Sequence, residues 1–490
     1  MARAAPINPF LLLPATIWKN VIARWLQSYC MGARMLEAAN AQDIGKALDH
    51  LRFGRMHFAT ALIAALGLFI DIGELALNAV FSTSFPDRMA FVPTWGQSIL
   101  LGSVFAGGIV GAPLFGLLAD RYGRRGAMQL SMAMVAVFSA VAAITQSYWL
   151  LIACRFLSGV ALGAYPPLMT AWLTDILAPR LRARIILWAD ALGFLGAPAV
   201  VFVVYRLDGV TVFGSDGGAF DAWRIALIGC AATAIFCSIG FWLVPESPRW
   251  LAARGQLAAA RRALSRLGGL TPTPAVSGGA PAAEYGAAAP TLTAVGVEPG
   301  IQLRQRLAVI FVLYALRAVP TIVFPIMMGL VLRAKGLDLG TSLLLVATSS
   351  FGGTCGTLCA SVMIERFERR TALYLCGALL IVCGLLFTAA DDVTLLLFSA
   401  CAFLTLGAIF GPVLSIYAAE IIPTSVRATA TATAWGVTRL VSSLLPVALL
   451  PLLAGAGPGS FMAVVLGSVA ISMIVIGGFA PPQPPRQSIV

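Results

Sequence analysis

Charged residues are scarce in this 490-residue chain: they make up 11% of the sequence, whereas hydrophobic residues make up 59%. With a mean hydropathy of +0.90, the chain is too apolar for a soluble protein of this length, so the bilayer is its expected solvent. Acidic residues are fewer than basic residues, 21 against 33, so the formal net charge is +12. The basic residues occur in short clusters between apolar runs, which indicates membrane topology and argues against nucleic acid as a partner.

Histidine and reactive motifs are also rare. His50 and His57 are the two histidines and precede the first apolar run, so no histidine relay is expected inside the membrane. The sequence contains no phosphate-binding loop, nucleophile–base pair or cluster of metal ligands. We therefore predict no enzymatic activity, no cofactor and no metal, and exclude an ATP-driven pump within this chain. All nine cysteines except Cys30 lie in apolar runs and are predicted to be packing residues.

Long runs of hydrophobic residues are abundant in the chain. Twelve runs each approach the ~20 residues that a helix needs to cross a bilayer, with six in 58–244 and six in 307–479. They predict an all-α membrane protein of twelve transmembrane helices, arranged as two pseudo-symmetric six-helix bundles. The remaining segments are predicted to be a dispensable cytoplasmic N-terminal extension at 1–57, a partly disordered cytoplasmic linker at 245–306 and a cytoplasmic tail at 480–490.

Basic residues predict the orientation. If both termini are cytoplasmic, most Lys and Arg lie on the inner side, as is usual for membrane proteins. Five then lie outside: Arg88, Arg206, Arg224, Arg333 and Lys335. We expect a multi-pass protein of the bacterial inner membrane, with the lipid bilayer as its surroundings.

A cluster of charges between the second and third apolar runs recurs half a chain length later. The first copy consists of Asp120, Arg121, Arg124 and Arg125, and the second of Glu365, Arg366, Arg369 and Arg370. A further pair repeats with the same shift, as Asp175 with Arg182 and Glu420 with Arg427. The chain is therefore one half-length unit used twice. We expect these charges to pair between the two halves as a conformational latch on the cytoplasmic face; a topology-setting role is the alternative.

Three motifs carry a family resemblance. The segment Gly-Leu-Leu-Ala-Asp-Arg-Tyr-Gly-Arg-Arg at 116–125 resembles the loop between helices two and three of the major facilitator superfamily of transporters. Residues 155–163 are similar to the fourth-helix signature of that family. Residues 245–251 resemble the segment that closes helix six in sugar porters and their organic-ion and metabolite symporter relatives. The resemblance covers roughly residues 50–480 and implies a transporter that moves a small molecule by alternating access. We expect a monomer, although the sequence leaves the oligomeric state open.

Charges inside the apolar runs are the functional candidates, because each costs ~2.5–3.5 kcal/mol on insertion scales. Asp71 and Glu74 lie on one helical face, and two acids this close in low dielectric resist double ionisation, so one is expected to hold a proton near neutral pH. They resemble the paired acids of aromatic-acid and metabolite proton symporters. That resemblance implies proton coupling. In relatives of the sugar porters the arginine that matches Arg155 faces the acid of helix one, which implies a pair of Asp71 with Arg155 that opens when the acid is protonated. Paired structural charges are the alternative, and Asp190 is expected to pair with the basic loop that precedes it.

Arg317 and Arg439 lie near the predicted membrane midplane, where transporter sites usually lie. A guanidinium holds a carboxylate by two parallel hydrogen bonds, so the pair predicts import of a small organic anion, such as an aromatic or other carboxylic acid. Tyr165, Tyr314 and Trp435 are candidates to stack on a substrate ring. A proton-coupled sugar symporter, a proton/drug antiporter and a transport-inactive receptor remain alternatives, although the seventh run lacks the amide side chains that are usual in sugar porters.

Overall fold

The computed structural model describes residues 43–88, 94–207, 222–268, 300–366, 368–422 and 427–479. Within these ranges the chain is helical and contains no strand. Eleven of the described helical segments are long and apolar enough to cross a membrane, and the last, Thr433–Gly478, breaks at Gly457, where φ is +79°. The break divides that segment in two, so the described chain has the twelve spans that the sequence predicts. The predictions for 1–42, 269–299 and 480–490 lie outside the described residues.

From residue 55 onward, the helices in chain order are α1 (Arg55–Arg88), α2 (Thr94–Tyr122), α3 (Arg124–Ile144), α4 (Tyr148–Leu162), α5 (Tyr165–Ile176), α6 (Pro179–Phe194), α7 (Gly196–Leu207), α8 (Ala222–Leu243), α9 (Pro248–Ala253), α10 (Leu257–Arg266), α11 (Gly300–Ala318), α12 (Phe324–Ala334), α13 (Leu339–Ser349), α14 (Phe351–Arg366), α15 (Arg369–Ala389), α16 (Val393–Ile421) and α17 (Arg427–Gly478). Several spans consist of two helices. The fourth span is α4 with α5, the fifth is α6 with α7, the seventh is α11 with α12, the eighth is α13 with α14, and α17 contains the last two.

The seventh span is interrupted directly after Arg317. A π-helical turn at Val319–Val323 joins α11 to α12 and contains Pro320, while Pro325 lies in the first turn of α12. Proline removes a backbone donor and clashes with the preceding helical turn, so it disturbs the regular hydrogen-bond pattern. Single π-helical turns are frequent at functional sites. The interruption therefore lies beside one of the two candidate substrate-binding arginines.

The two bundles are hydrogen-bonded to each other at one end. We call the end that carries the turn between α2 and α3 the motif face and the opposite end the far face. Near the far face, Ser82 Oγ donates to the carbonyl of Ile326 at 2.7 Å, and Ser98 Oγ donates to the carbonyl of Pro446 at 3.1 Å. Each bond joins a first-half helix to a second-half helix. These bonds hold the halves together at the far face.

Glycines allow α2 and α4 to cross in close contact. A Cβ atom at Gly111 would lie 1.9 Å from the carbonyl oxygen of Val160, and one at Gly159 would lie 2.1 Å from that of Val104. Helix association inside a bilayer depends on van der Waals packing, which small residues make possible. This contact positions α4, and with it Arg155, against the rest of the first bundle.

Replacing Gly159 with valine should destabilise the first bundle, because the side chain has no room beside the Val104 carbonyl. Overpacking of this kind typically costs ~1–3 kcal/mol. We expect a lower midpoint of thermal unfolding and less monodisperse protein in detergent. Gly229→Val is the matched control, because nothing lies within 4 Å of a Cβ at that exposed position. Equal unfolding temperatures for the two variants would contradict the close helix crossing.

Candidate functional site

Glu74, rather than Asp71, is the partner of Arg155. The Arg155 guanidinium donates to the Glu74 carboxylate and, from Nη2, to the Glu74 backbone carbonyl at 2.6 Å. Ser139 Oγ donates to Glu74 Oε1 at 2.5 Å. The expected pair of Asp71 with Arg155 is thus wrong, because Glu74 lies one helical turn further along α1, at the level of Arg155. A buried charge is tolerated when it is paired and fully hydrogen-bonded. Both carboxylate oxygens of Glu74 accept a hydrogen bond, so the glutamate meets that condition.

Two further residues complete the surroundings of Arg155. Asn78 Oδ1 accepts a hydrogen bond from Arg155 Nη2 at 3.2 Å, and the Phe81 ring centroid lies 5.5 Å from the guanidinium carbon. Asn78 follows Asp71 by seven residues, a spacing that places both on one helical face. This spacing indicates that Asn78 lies on the same face of α1 as the two acids, although Asn78 was not predicted as a site residue.

Asp71 is buried, and one of its two carboxylate oxygens has no hydrogen-bond partner among the described residues. Its side chain is 2% exposed, and its Oδ1 has no hydrogen bond within the described part of the chain. The opposite charge that acts on it electrostatically is Arg439, which belongs to the second half, while Glu74 repels it. A buried carboxylate that lacks hydrogen bonds is expensive to keep charged. Asp71 is therefore the acid in this site whose carboxylate the described residues do not fully hydrogen-bond.

Two guanidinium groups flank one indole near the centre of the second half. The guanidinium carbons of Arg317 and Arg439 lie 5.3 Å and 5.5 Å from the Trp435 ring centroid, within cation–π range. Arg317 also lies 5.0 Å from the Tyr314 ring and Arg439 lies 5.8 Å from the Phe105 ring. The Nε atoms of both arginines and Nε1 of Trp435 are buried without a hydrogen-bond acceptor among the described residues. This cluster can donate hydrogen bonds to a carboxylate or to hydroxyl oxygens.

Arg317 and Arg439 differ in how many of their hydrogen-bond donors have a partner. Arg317 Nη1 donates to the carbonyl of Gly411 at 3.3 Å and to Ser415 Oγ at 3.5 Å, and Ser415 also accepts from the Tyr314 hydroxyl at 3.2 Å. Arg439, in contrast, forms no hydrogen bond or ion pair with any residue that the structure describes. Ser415 was not predicted as a site residue, because nothing in the sequence indicates which face of the tenth span meets Arg317. Arg439 is the freer donor of the two.

Tyr165 packs between helices instead of pointing freely into the site. Its hydroxyl donates to the carbonyl of Ala64 at 3.0 Å, and its ring occupies the space beside Gly67. These contacts attach α5 to α1. They give no support to the prediction that Tyr165 stacks on a substrate, whereas Tyr314 and Trp435 do lie beside the arginines.

The repeated charges at the motif face form corresponding pairs. Arg124 Nε lies 3.8 Å from Asp175, and at the same offset in the second half Arg369 Nε lies 3.4 Å from Glu420. Arg124 also binds Asp120 at 2.6 Å. These pairs lie within one half, whereas a latch requires pairs between halves, so the latch stays a prediction for a state in which the motif face is closed.

The other predicted latch residues are partly described. Arg121 lies 5.7 Å from the ring of Tyr122, and Arg182 lies 3.5 Å from Asp49. The side chains of Glu365, Arg366 and Arg427 lie outside the described residues. Asp49 belongs to the N-terminal extension, where Ile44 and Leu48 are fully buried. The prediction of a dispensable extension did not anticipate this packing.

The last arginine of each repeated cluster caps the final helix of its own half. Arg125 Nη1 donates to the carbonyl of Val244 at 3.1 Å, and Arg370 Nη2 donates to the carbonyl of Gly477 at 2.7 Å. Basic side chains commonly satisfy the free carbonyls at a helix C-terminus. This symmetry supports the interpretation of the chain as a duplicated unit.

Glu246 anchors the turn between α2 and α3, a role that the predictions missed. Its carboxylate accepts hydrogen bonds from the backbone N–H groups of Ser247 at 2.8 Å and Arg125 at 3.1 Å. Burial raises the pKa of Glu246, and these backbone hydrogen bonds oppose that rise. Gly123 has a φ of +102°, and a Cβ there would lie 2.2 Å from Glu246 Oε2, so glycine is required for both reasons.

Comparison with known proteins adds independent information. The family model described as "Sugar (and other) transporter" matches residues 59–483. A putative metabolite transport protein of Escherichia coli K12, YdjK, is 26% identical over 451 residues, which cover 90% of this chain and 95% of that protein. The arabinose–proton symporter of Bacillus subtilis 168 is 27% identical over 175 residues, or 36% of this chain and 37% of that protein.

Solved structures resemble the fold. The inward-open conformation of the xylose transporter XylE from E. coli has a TM-score of 0.69 at 15% identity, covering 88% of this chain and 98% of that one. A partially occluded inward-open conformation of the same transporter has a TM-score of 0.67 at 17% identity. At these identities the likeness concerns the arrangement of helices alone.

Proposed function

Because this chain belongs to the sugar (and other) transporter family of the major facilitator superfamily, and is therefore a multi-pass transporter rather than an enzyme, we propose that it is a proton-coupled symporter that imports a sugar-sized polar metabolite. The observation that carries this proposal is the difference between the two acids of α1. Glu74 is paired with Arg155, whereas Asp71 Oδ1 is buried without a hydrogen bond. We place the motif face in the cytoplasm of a bacterial cell, with both termini on that side.

Asp71 would couple protons to the movement of the two halves. When charged, its carboxylate is attracted by Arg439 across the interface between the halves; when protonated, it loses that attraction. Each protonation state then favours a different arrangement of the halves, which is what alternating access requires. The pair of Glu74 with Arg155 would hold α1 and α4 in register throughout the cycle.

A sugar is the first candidate substrate, and the likeness to an arabinose–proton symporter and to a xylose transporter supports it. A small organic anion is the second candidate, because Arg317 and Arg439 are only 7% and 5% exposed and keep unsatisfied Nε donors. A sugar-derived carboxylic acid would satisfy both observations. No contact of the described residues favours drug export.

Uptake by purified protein in proteoliposomes tests this proposal. Radiolabelled xylose, arabinose, gluconate and benzoate would be offered in turn, with and without an inward proton gradient. We expect one of them to accumulate above its external concentration, and only when the gradient is present. Equal uptake with and without the gradient, or efflux of lipophilic cations in place of any uptake, would contradict proton-coupled import.

Replacing Arg439 with glutamine should separate the two substrate classes. Glutamine can still donate a hydrogen bond to a neutral hydroxyl, so a sugar would keep part of the interaction, whereas a carboxylate would lose the charged partner of a bond worth ~1.5–3 kcal/mol. For a sugar we therefore expect the KM for uptake to rise by less than about tenfold, and for a carboxylate by more than about tenfold. Arg439→Lys is the matched control, since it keeps the charge but loses the planar fork. An unchanged KM in both variants would remove Arg439 from the substrate site.

A further inference from the structure

A third intramembrane acid, Asp190 on α6, lies apart from Asp71 and from the pair of Glu74 with Arg155. The basic loop before it was expected to supply a partner, but Asp190 forms no ion pair or hydrogen bond with any residue that the structure describes, so that expectation is wrong. Its side chain is only partly exposed. An unpaired acid inside a membrane span is costly and is retained where protons, ions or substrates pass.

The neighbours of Asp190 show which way its side chain points. Trp188 and Leu192 are 56% and 42% exposed and mark the lipid-facing side of α6. Gly193 packs against Leu68 of α1, and Phe194 packs against Gly353 of α14 in the other half. At 100° per residue, Asp190 lies opposite the lipid-facing side and between the directions of residues 193 and 194. It therefore points into the angle between α1 and α14, at the interface of the two halves.

The same contacts give the depth of Asp190 relative to Asp71. Gly193 is level with Leu68, and Gly73 packs against Val200 further along both spans, so the first and fifth spans run parallel. Asp190 lies three residues before Gly193, while Asp71 lies three residues after Leu68. At 1.5 Å per residue the two carboxylates are separated by about 9 Å along the spans. Asp190 is the one nearer the motif face, because α6 begins there, beside Asp175.

Few ionisable groups surround Asp190. The helices that pack against α6 are α1, α5, α7 and α14. Their described ionisable groups are Arg55, His57, Asp71 and Glu74 on α1, Tyr165 and Asp175 on α5, Tyr205 and Arg206 on α7, and Cys355 and Cys359 on α14. On α6 itself the basic residues are Arg180, Arg182 and Arg184. Since none of them contacts the Asp190 carboxylate, its protonation is free to change during a cycle.

We propose that Asp190 is the proton acceptor on the motif-face side of Asp71. The proton leaves the Asp71 carboxyl group, moves through water along the interface between the halves toward the motif face and protonates the Asp190 carboxylate. Asp190 then releases the proton to water at the motif face and returns to its charged form. This proposal rests on the proposed function, since it requires that Asp71 carries a proton inward.

An infrared titration of the purified full-length protein tests the first requirement, that Asp190 binds and releases a proton. We expect the wild-type protein to show carbonyl absorption from buried protonated carboxyl groups that disappears as the pH rises. Asp190→Asn should remove one component of that absorption and Asp71→Asn another. An Asp190→Asn spectrum identical to that of the wild type at every pH would overturn the proposal without any knowledge of the substrate.

Proteoliposomes test the second requirement, that the proton passes through Asp190 during transport. The probes are radiolabelled xylose and gluconate, and a dye reports the pH of the lumen. We expect Asp190→Asn to slow proton-driven uptake at least tenfold, to leave substrate exchange within twofold of wild type, and Asp190→Glu to restore uptake. Unaltered acidification in Asp190→Asn overturns the proposal, as does an equal loss of uptake and exchange. A wild-type protein that moves substrate without acidifying the lumen would instead overturn the proposed function.

Discussion

An Asp71→Asn protein should lose proton-driven accumulation of substrate while it still exchanges substrate across the membrane. Asparagine keeps the size of the side chain but cannot bind or release a proton, so the attraction to Arg439 can no longer be switched. With one proton per substrate, a gradient of one pH unit supports about tenfold accumulation. We expect that ratio to fall to one in the variant. Radiolabelled uptake and counterflow, measured in the same proteoliposomes, give both quantities.

Glu74→Gln is the matched control for Asp71→Asn, because it removes the neighbouring acid from the same helix. It leaves the buried Arg155 without its charged partner, so its main effect should be on stability. We expect a lower unfolding temperature, with proton coupling retained in the protein that folds. The reverse outcome, uncoupling by Glu74→Gln and full coupling in Asp71→Asn, would show that Glu74 carries the proton and that Asp71 does not.

Removing Arg155 should be the most destabilising single change in the first bundle. An Arg155→Leu protein would leave the Glu74 carboxylate buried among apolar groups with Ser139 as its remaining side-chain donor. Breaking one side of a buried ion pair typically costs ~3–5 kcal/mol. We expect little folded Arg155→Leu protein by size-exclusion chromatography and a large drop in unfolding temperature in what remains.

A double replacement tests the origin of that loss. The Glu74→Gln/Arg155→Leu protein lacks both charges of this pair, so neither is left without its partner and part of the lost stability should return. The two effects should therefore be strongly non-additive, as is usual for residues in contact. Additive losses would mean that Arg155 stabilises the bundle through its packing on Phe81 alone.

Composition and repetition predict the fold because the bilayer restricts the choices. Charged residues are so rare that the apolar runs between them can be counted. The repeated charges predict a duplicated unit, and the corresponding pairs of Arg124 with Asp175 and of Arg369 with Glu420 agree with it. The identity of the Arg155 partner could not be predicted in the same way. Asp71 and Glu74 differ by about 4.5 Å along α1, and only the axial offset between α1 and α4 decides which of them meets Arg155.

Residues far apart in sequence were the hardest to predict. Glu246 meets the backbone of Arg125, and Ser415 meets Arg317, across distances in the chain that carry no local pattern. Asp190 was assigned to the nearest basic loop because sequence proximity was the one guide to its partner. The direction in which α6 turns that acid depends on how α1 and α14 pack around it, which neither hydropathy nor motif spacing records.

Lumen acidification in proteoliposomes is the most direct test of proton-coupled symport. Wild-type and Asp71→Asn proteins would be reconstituted with an internal pH-sensitive dye, and xylose, arabinose, gluconate and benzoate would be added outside in turn without an imposed gradient. Proton-coupled symport through Asp71 predicts that one of these solutes acidifies the lumen in the wild-type vesicles and not in the Asp71→Asn vesicles. Entry of a radiolabelled solute into wild-type vesicles with no change in lumen pH would contradict it.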